Sequence, residues 1–183
     1  MTITPTELAG CFVLEPKVFF DSRGYFMESF NEKLFHEMSQ QQLRFVQDNQ
    51  SFSTKGVLRG LHYQTGVYSQ SKLVRVLQGS VLDVAVDIRP DSATFGRYHA
   101  EILSDQNHKQ VFVPKGFAHG FLVLSDTALF AYKCDQYYHA ASEGGIIYND
   151  ATIAIDWILP EAEWIVSEKD RQLPAIDQAR KIW

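Results

Sequence analysis

Three stretches hold side chains whose types and spacing suit chemistry. The first is Arg59-Gly60-Leu61-His62-Tyr63-Gln64, followed by Lys72. The second is Pro114-Lys115-Gly116-Phe117-Ala118-His119-Gly120-Phe121, and the third is Tyr132-Lys133-Cys134 followed by Tyr137-Tyr138. A neutral imidazole, an ammonium and a phenol in one pocket form a set that moves protons beside a carbonyl. His62 would take a proton from carbon. Lys72 would stabilise the enolate oxygen that forms. Tyr132 would return a proton from the opposite side, and removal and return on opposite faces invert a carbon. A substrate that already carries a ketone beside that carbon needs no cofactor for this. Each residue also has an ordinary reading. A histidine on a mostly apolar strand is usually a hydrogen-bonded core or rim residue, a lone strand lysine is usually a solvated edge residue, and a lone strand tyrosine is usually core.

The elements that must position these groups are mostly strands. From Val57 onward, short runs rich in Val, Ile, Phe and Tyr alternate with polar turns: 72–77, 81–88, 98–103, 110–113, 120–124 and 128–134. Strands recurring at roughly ten-residue spacing with polar turns predict a sandwich or barrel. This reading lets His62 and Lys72 face one barrel interior. Upstream, 10–20 reads as one strand entering a turn at 21–24, 26–30 as extended, and 45–52 as a further strand ending in a turn at 53–56. The best helix candidate is 31–42, with Asn31 as its cap and Leu34, Phe35 and Met38 on one face. The segment from Glu161 to Trp183 is polar and mixed. No linker, repeat or low-complexity tract interrupts the chain, so residues 1–183 read as a single domain.

Composition narrows the function. Aromatic residues make up 13% of the chain, enough for a β-rich core and for a site that stacks a base or a sugar. A net charge of −5 argues against general nucleic-acid binding, while a local cluster of arginine and lysine still suits one phosphorylated ligand. Cys11 and Cys134 suggest neither a disulfide framework nor a zinc site, and read as reduced thiols of a cytoplasmic protein. No apolar run approaches the length of a membrane helix.

Pro114, Gly116 and His119 resemble the second motif of the cupin superfamily. Metal-binding cupins add a His-x-His pair and an acid from a first motif. Here His62 is followed by Gln64, and Lys72 falls near the place of the acid. An ammonium cannot ligate a metal and repels one. The expectation is therefore an all-β, cupin-type jelly-roll barrel with a few short peripheral helices and no metal.

A more extensive resemblance covers nearly the whole chain, in order. Phe19-Phe20-Asp21-Ser22-Arg23-Gly24-Tyr25-Phe26-x-Glu28, Gln47-Asp48-Asn49-x-Ser51, Gly56 to Gln64, Lys72 to Val76, Gly79 to Arg89, Pro114 to Phe121, Tyr132-Lys133-Cys134, Glu143-Gly144-Gly145-Ile146, Asn149-Asp150 and Ser167-Glu168-Lys169-Asp170 together resemble the dTDP-4-dehydrorhamnose 3,5-epimerases. The resemblance implies epimerisation of dTDP-4-keto-6-deoxy-D-glucose at carbons 3 and 5 to dTDP-4-keto-L-rhamnose, without cofactor. It implies His62 as general base paired with Asp170, Tyr132 as general acid, and Lys72 beside the keto oxygen. Arg23 and Arg59 would bind the diphosphate, since a planar guanidinium forks onto phosphate oxygens. Gln47, Asn49, Glu28, His119, Glu143 and Lys169 would complete the nucleotide and sugar contacts, and Tyr138 and Phe26 would flank the thymine or the sugar. The family forms homodimers whose N-terminal part crosses to the partner, so Arg23 and Glu28 would serve the neighbour's pocket.

The sequence departs from the family pattern at Thr65 to Ser71, at Tyr148 where a tryptophan is common, and at His139 to Ser142. These departures bear on the sugar pocket and leave open a single-carbon epimerase or a ketoisomerase of the same kind of substrate. Two other classes are a metal-dependent cupin oxygenase, which Gln64 and Lys72 count against, and a non-catalytic sugar-nucleotide binder, which the joint presence of His62, Asp170, Lys72 and Tyr132 counts against.

Overall fold

The computed structural model describes residues 1–183. Apolar residues on alternate positions fold the chain into two antiparallel sheets with their inner faces together. The strands, in chain order, are β1 (Thr2–Pro5), β2 (Phe12–Glu15), β3 (Val18–Asp21), β4 (Gly24–Met27), β5 (Gln47–Thr54), β6 (Val57–Gln64), β7 (Lys72–Gln78), β8 (Ser80–Asp87), β9 (Tyr98–Ser104), β10 (Gln110–Val113), β11 (Phe117–Val123), β12 (Thr127–Cys134), β13 (Glu143–Gly145) and β14 (Ile165–Val166). One sheet has the order β1-β2-β10-β7-β12-β5. The other has β13-β6-β11-β8-β9, with β14 added parallel to β6. β3 and β4 form a separate hairpin. The result is the all-β jelly-roll barrel expected, with two short α-helices, α1 (Glu32–Ser39) and α2 (Glu168–Arg171), at its periphery.

Three apolar clusters hold this frame. Val74, Val76, Val81, Ala85, Val111, Phe117, Phe121 and Phe130, from both sheets, meet inside the barrel. Phe12, Leu14, Leu73 and Phe112 form the outer face of the first sheet, which α1 covers with Phe35. Leu58, Leu61, Tyr63, Leu82, Val84, Val86, Ala118 and Leu122 form the outer face of the second sheet. The C-terminal segment covers them with Ile146, Tyr148, Ile153, Trp157 and Ile182. β8 and β11 are thus apolar on both faces, which is why they read as nearly continuous hydrophobic runs.

Several boundaries differ from those the sequence suggests. Residues 10–20 are two strands in different sheets, because Pro16 and Lys17 break the run and carry the chain off the barrel. The extended run at 26–30 is β4 and stops at Met27. Asn31 caps α1 as expected, its side chain accepting from the Leu34 N–H, but the helix ends early, with Gln40 left-handed at φ 57°. No apolar residue follows at helical spacing before Leu43, so nothing holds a further turn. The strand placed at 45–52 runs instead over β5 and shortens the following turn to Lys55-Gly56. β1 was not expected; it is an edge strand paired only with β2. Tyr148 is buried in the cluster outside the second sheet, edge-on to Trp164 at 5.8 Å between centroids, so this position lies in the core and away from the cavity described below.

Candidate active site

The strands that close the barrel leave a cavity of about 600 Å³, whose walls include Asn49, Arg59, His62, Lys72, His119, Tyr132, Lys169 and Asp170. A smaller chamber of about 170 Å³ adjoins it past His62, Lys72 and Tyr132, and is lined further by Gln47, Gln64, Tyr138 and Glu143.

His62 and His119 are direct partners across β6 and β11, on the second sheet. Lys72 and Tyr132 stand diagonally on β7 and β12 of the first sheet, where Tyr132 pairs with Val74 and Lys72 with Cys134. The two sheets oppose each other, so imidazole and phenol face the cavity from opposite walls.

Arg59 and His62 are three residues apart, a spacing that puts side chains of a regular strand on opposite faces. A bulge brings both inside: across β11, His119 pairs with His62 and Phe121 with Arg59, so the longer stretch of β6 opposes a shorter one. Gly60 carries the distortion with φ +125°. A Cβ there would lie 2.7 Å from Gly120 Cα and 2.9 Å from the His119 carbonyl oxygen, so only glycine fits. Inside the cavity, the Arg59 guanidinium donates to Ser53 Oγ from Nε at 3.2 Å and from a terminal nitrogen at 3.1 Å.

His62 Nε2 and Asp170 Oδ1 lie 2.7 Å apart, although the residues are 108 positions apart in the chain. Ser167 caps α2 by accepting the Asp170 N–H, which turns the carboxylate back toward β6, and its second oxygen accepts the Gly60 N–H at 3.3 Å. Burial alone would raise the Asp170 pKa. The hydrogen bond and charge of His62, with the N–H of Gly60 and the contact with Ser167, outweigh it and hold the carboxyl below its ordinary value. An ionised Asp170 fixes the tautomer that leaves the other imidazole nitrogen free to accept a proton, and stabilises the imidazolium once it has.

The Lys72 ammonium makes no hydrogen bond or ion pair within the chain, and lies 5.8 Å from the centroid of the Tyr132 ring. Burial pushes its pKa down, against weaker support from Cys134, Asp83 and Glu143. A desolvated cation with no anion of its own is matched to an oxyanion brought by a ligand. Burial raises the Tyr132 pKa, so the phenol keeps its proton. Glu143 accepts from Lys169 Nζ at 2.7 Å; burial would raise its pKa, but this bond and the Lys169 charge lower it.

The cavity therefore gathers His62, Lys72, Tyr132, Asp170, Gln47, Asn49, Arg59, His119, Tyr138, Glu143 and Lys169 around its two chambers. Arg23, Phe26 and Glu28 are not among its walls. Arg23 pairs with Asp21 at the tip of the β3–β4 hairpin, Phe26 is 70% exposed, and Glu28 accepts from the Asn31 side chain. The sequence reading gave no role to Asp83 and read Gln64 only as a lost metal ligand. Asp83 is buried and binds His119 Nε2 at 2.8 Å, with its other oxygen unpaired; its signal was an acid between Leu82 and Val84 on an apolar strand. Gln64 stands where the second ligand of a metal cupin would be, and spends its amide on neighbouring backbone. No group of three or more His, Cys, Asp or Glu side chains is arranged to hold a metal ion. Cys11 and Cys134 are buried and form no disulfide. No helix is long and apolar enough to cross a membrane.

Residues 5–178 match the family model for dTDP-4-dehydrorhamnose 3,5-epimerase. The chain is 51% identical over 179 residues to the dTDP-4-dehydrorhamnose 3,5-epimerase of Escherichia coli K12, covering 97% of this chain and 96% of that one. The structure is similar to that of the enzyme of the same name from Elizabethkingia anophelis NUHP1, with TM-score 0.95, 51% identity and coverage of 100% and 99% of the two chains. It is equally similar in sequence, at 51% identity and TM-score 0.93 over 97% of this chain and 93% of the other, to the dTDP-6-deoxy-D-glucose-3,5-epimerase of Legionella pneumophila Philadelphia 1 in complex with dTDP-4-keto-L-rhamnose. A match that runs along almost all of both partners, over a barrel with the same frame, has one meaning: this chain belongs to the dTDP-4-dehydrorhamnose 3,5-epimerase family.

Proposed function

We infer that the protein epimerises dTDP-4-keto-6-deoxy-D-glucose at carbons 3 and 5, giving dTDP-4-keto-L-rhamnose for deoxysugar biosynthesis. The observation that carries this reading is the placement of His62 and Tyr132 on opposite walls of one cavity, with the unpaired Lys72 ammonium beside the phenol. His62, oriented by Asp170, removes the proton beside the ketone. Lys72 neutralises the enolate oxygen, and Tyr132 returns a proton to the other face. Arg59 takes the diphosphate, while Gln47, Asn49, His119, Tyr138, Glu143 and Lys169 hold the nucleotide and sugar. General base catalysis contributes about 10²–10⁴-fold, and stabilisation of the enolate by a dry ammonium adds about 3 kcal/mol. No step calls for a cofactor.

The exposed hairpin supports a homodimer. Phe19, Phe20, Tyr25 and Phe26 are all at least half exposed on β3 and β4, and a partner's cavity is where Arg23, Phe26 and Glu28 would find a ligand. Residues 1–183 act as one domain, in the cytoplasm, a compartment that suits two buried free thiols.

Mass spectrometry of dTDP-4-keto-6-deoxyglucose incubated with the metal-free protein in D₂O tests the reading. Two deuterons gained, at the carbons flanking the ketone, are expected. One deuteron replaces double epimerisation with a single-carbon reaction, and none overturns the function.

A further inference from the structure

We propose that Gln64 is a positioning residue which, together with a stack between Tyr68 and His139, holds Tyr138 across the mouth of the cavity. The Gln64 side chain lines the same chamber as His62, is buried, and serves two loops at once. Gln64 Nε2 donates to the Tyr68 carbonyl at 2.8 Å and to the Tyr137 carbonyl at 3.2 Å, and Gln64 Oε1 accepts the His139 N–H at 2.6 Å. The two residues flanking Tyr138 are therefore tied to β6 through one amide.

Outside the barrel the same loops meet again. The rings of Tyr68 and His139 stack with centroids 3.8 Å apart and planes within 4°. Tyr68 and His139 come from two separate loops, so the stack fastens one loop to the other. Tyr138 itself is 57% exposed, so apolar burial does little to fix it. Its N–H donates to Gln47 Oε1 at 2.9 Å and its hydroxyl to Glu143 Oε2 at 3.3 Å, which lays the ring along the smaller chamber. A side chain set by backbone on either side, rather than by packing, depends on whatever holds that backbone. Replacing Gln64 by an apolar residue of similar size takes their partner from the Tyr68 and Tyr137 carbonyls and the His139 N–H, and frees the loop. The chemical trio on β6, β7 and β12 does not depend on this clip. Its loss should therefore be felt in binding, as the ordering that free Tyr138 must undergo when a ligand arrives.

The kinetic consequence rests on the epimerase reading; the structural one does not. In Gln64→Leu, KM for the 4-keto sugar nucleotide should rise about tenfold while kcat stays within about threefold. Because Gln64 acts through Tyr138, the double variant Gln64→Leu/Tyr138→Ala should be no worse than Tyr138→Ala alone. An unchanged KM, or effects that multiply, overturns the proposal. Should Gln64→Leu fail to fold, Tyr68→Ala carries the same cycle, since it removes the stack and leaves the buried amide in place. A crystal structure of the folded variant gives an outcome independent of turnover. Tyr138 displaced or without density supports the proposal even if the wild type proves inactive on this substrate, and Tyr138 unmoved overturns it even if the wild type is an epimerase.

Discussion

His62 and Tyr132 stand on opposite walls of one cavity, His62 on β6 of one sheet and Tyr132 on β12 of the other. On the proposed reading, removal and return of a proton fall to different sheets of the barrel, and a substitution can separate them. Tyr132→Phe deletes the hydroxyl and keeps the ring. The variant should still exchange the substrate's protons with D₂O through His62 but form little inverted product, with kcat for epimerisation down about 10²–10⁴-fold. NMR of the substrate pool distinguishes exchange without inversion from full activity; inversion at the normal rate removes Tyr132 from the acid's role.

Asp170→Asn keeps the shape of the acid and removes its charge. It should lower kcat by about 10²–10⁴-fold with a smaller change in dTDP affinity, because the imidazolium formed on His62 loses its partner. Stability should respond as well. The Asp170 carboxyl has a lowered pKa in the fold, so it stabilises the protein above the ordinary carboxylate value of about 3.9 and loses that contribution as pH falls through the lower folded value. Thermal denaturation of wild type and variant should therefore differ most at neutral pH and converge in acid; a constant offset would show that the carboxylate plays no such part.

Lys72 carries the opposite sign. Burial lowers its pKa, so holding the charge costs stability at neutral pH, and that cost is relieved as pH rises through the folded value. Lys72→Met should raise the melting temperature while cutting kcat about 10²–10³-fold. In the wild type the alkaline limb of kcat should fall below the ordinary lysine value of about 10.4, since the phenol of Tyr132 is pushed the other way. A limb at or above that value would assign the loss to another group.

Gly60→Ala should destabilise the fold by about 2–4 kcal/mol, combining a strained positive φ with the collision at Gly120. Urea titration reads this directly. A variant of wild-type stability would mean that β6 can flatten its bulge, and Arg59 would then leave the cavity.

What the sequence disclosed follows the regularity of the elements. Val81 to Ile88 declared a strand because both of its faces are buried, and Lys72 and Tyr132 fall on inward positions of strands read in that way. Asp170 had no such signal, since it comes from a four-residue helix in a polar stretch, and only the likeness to a family pointed to it. The shared orientation of Arg59 and His62 was also beyond reach, because a bulge breaks the alternation from which orientation is inferred. The C-terminal segment misled for a related reason. Between Glu161 and Trp183, Ile182 is buried and Ile176 and Ala179 pack against the same cluster, yet their backbone is irregular, and periodicity cannot report burial where there is no period. Gln64 looked like a lost ligand, and its use as a clip depends on loops that meet only in three dimensions.

The late position of Asp170 has a consequence for the timing of synthesis. Every barrel strand, along with His62, Lys72 and Tyr132, precedes it in the chain. On the proposed reading, a chain whose strands have all been made still lacks the acid that sets the imidazole's tautomer, and competence waits for α2 to dock beside Gly60.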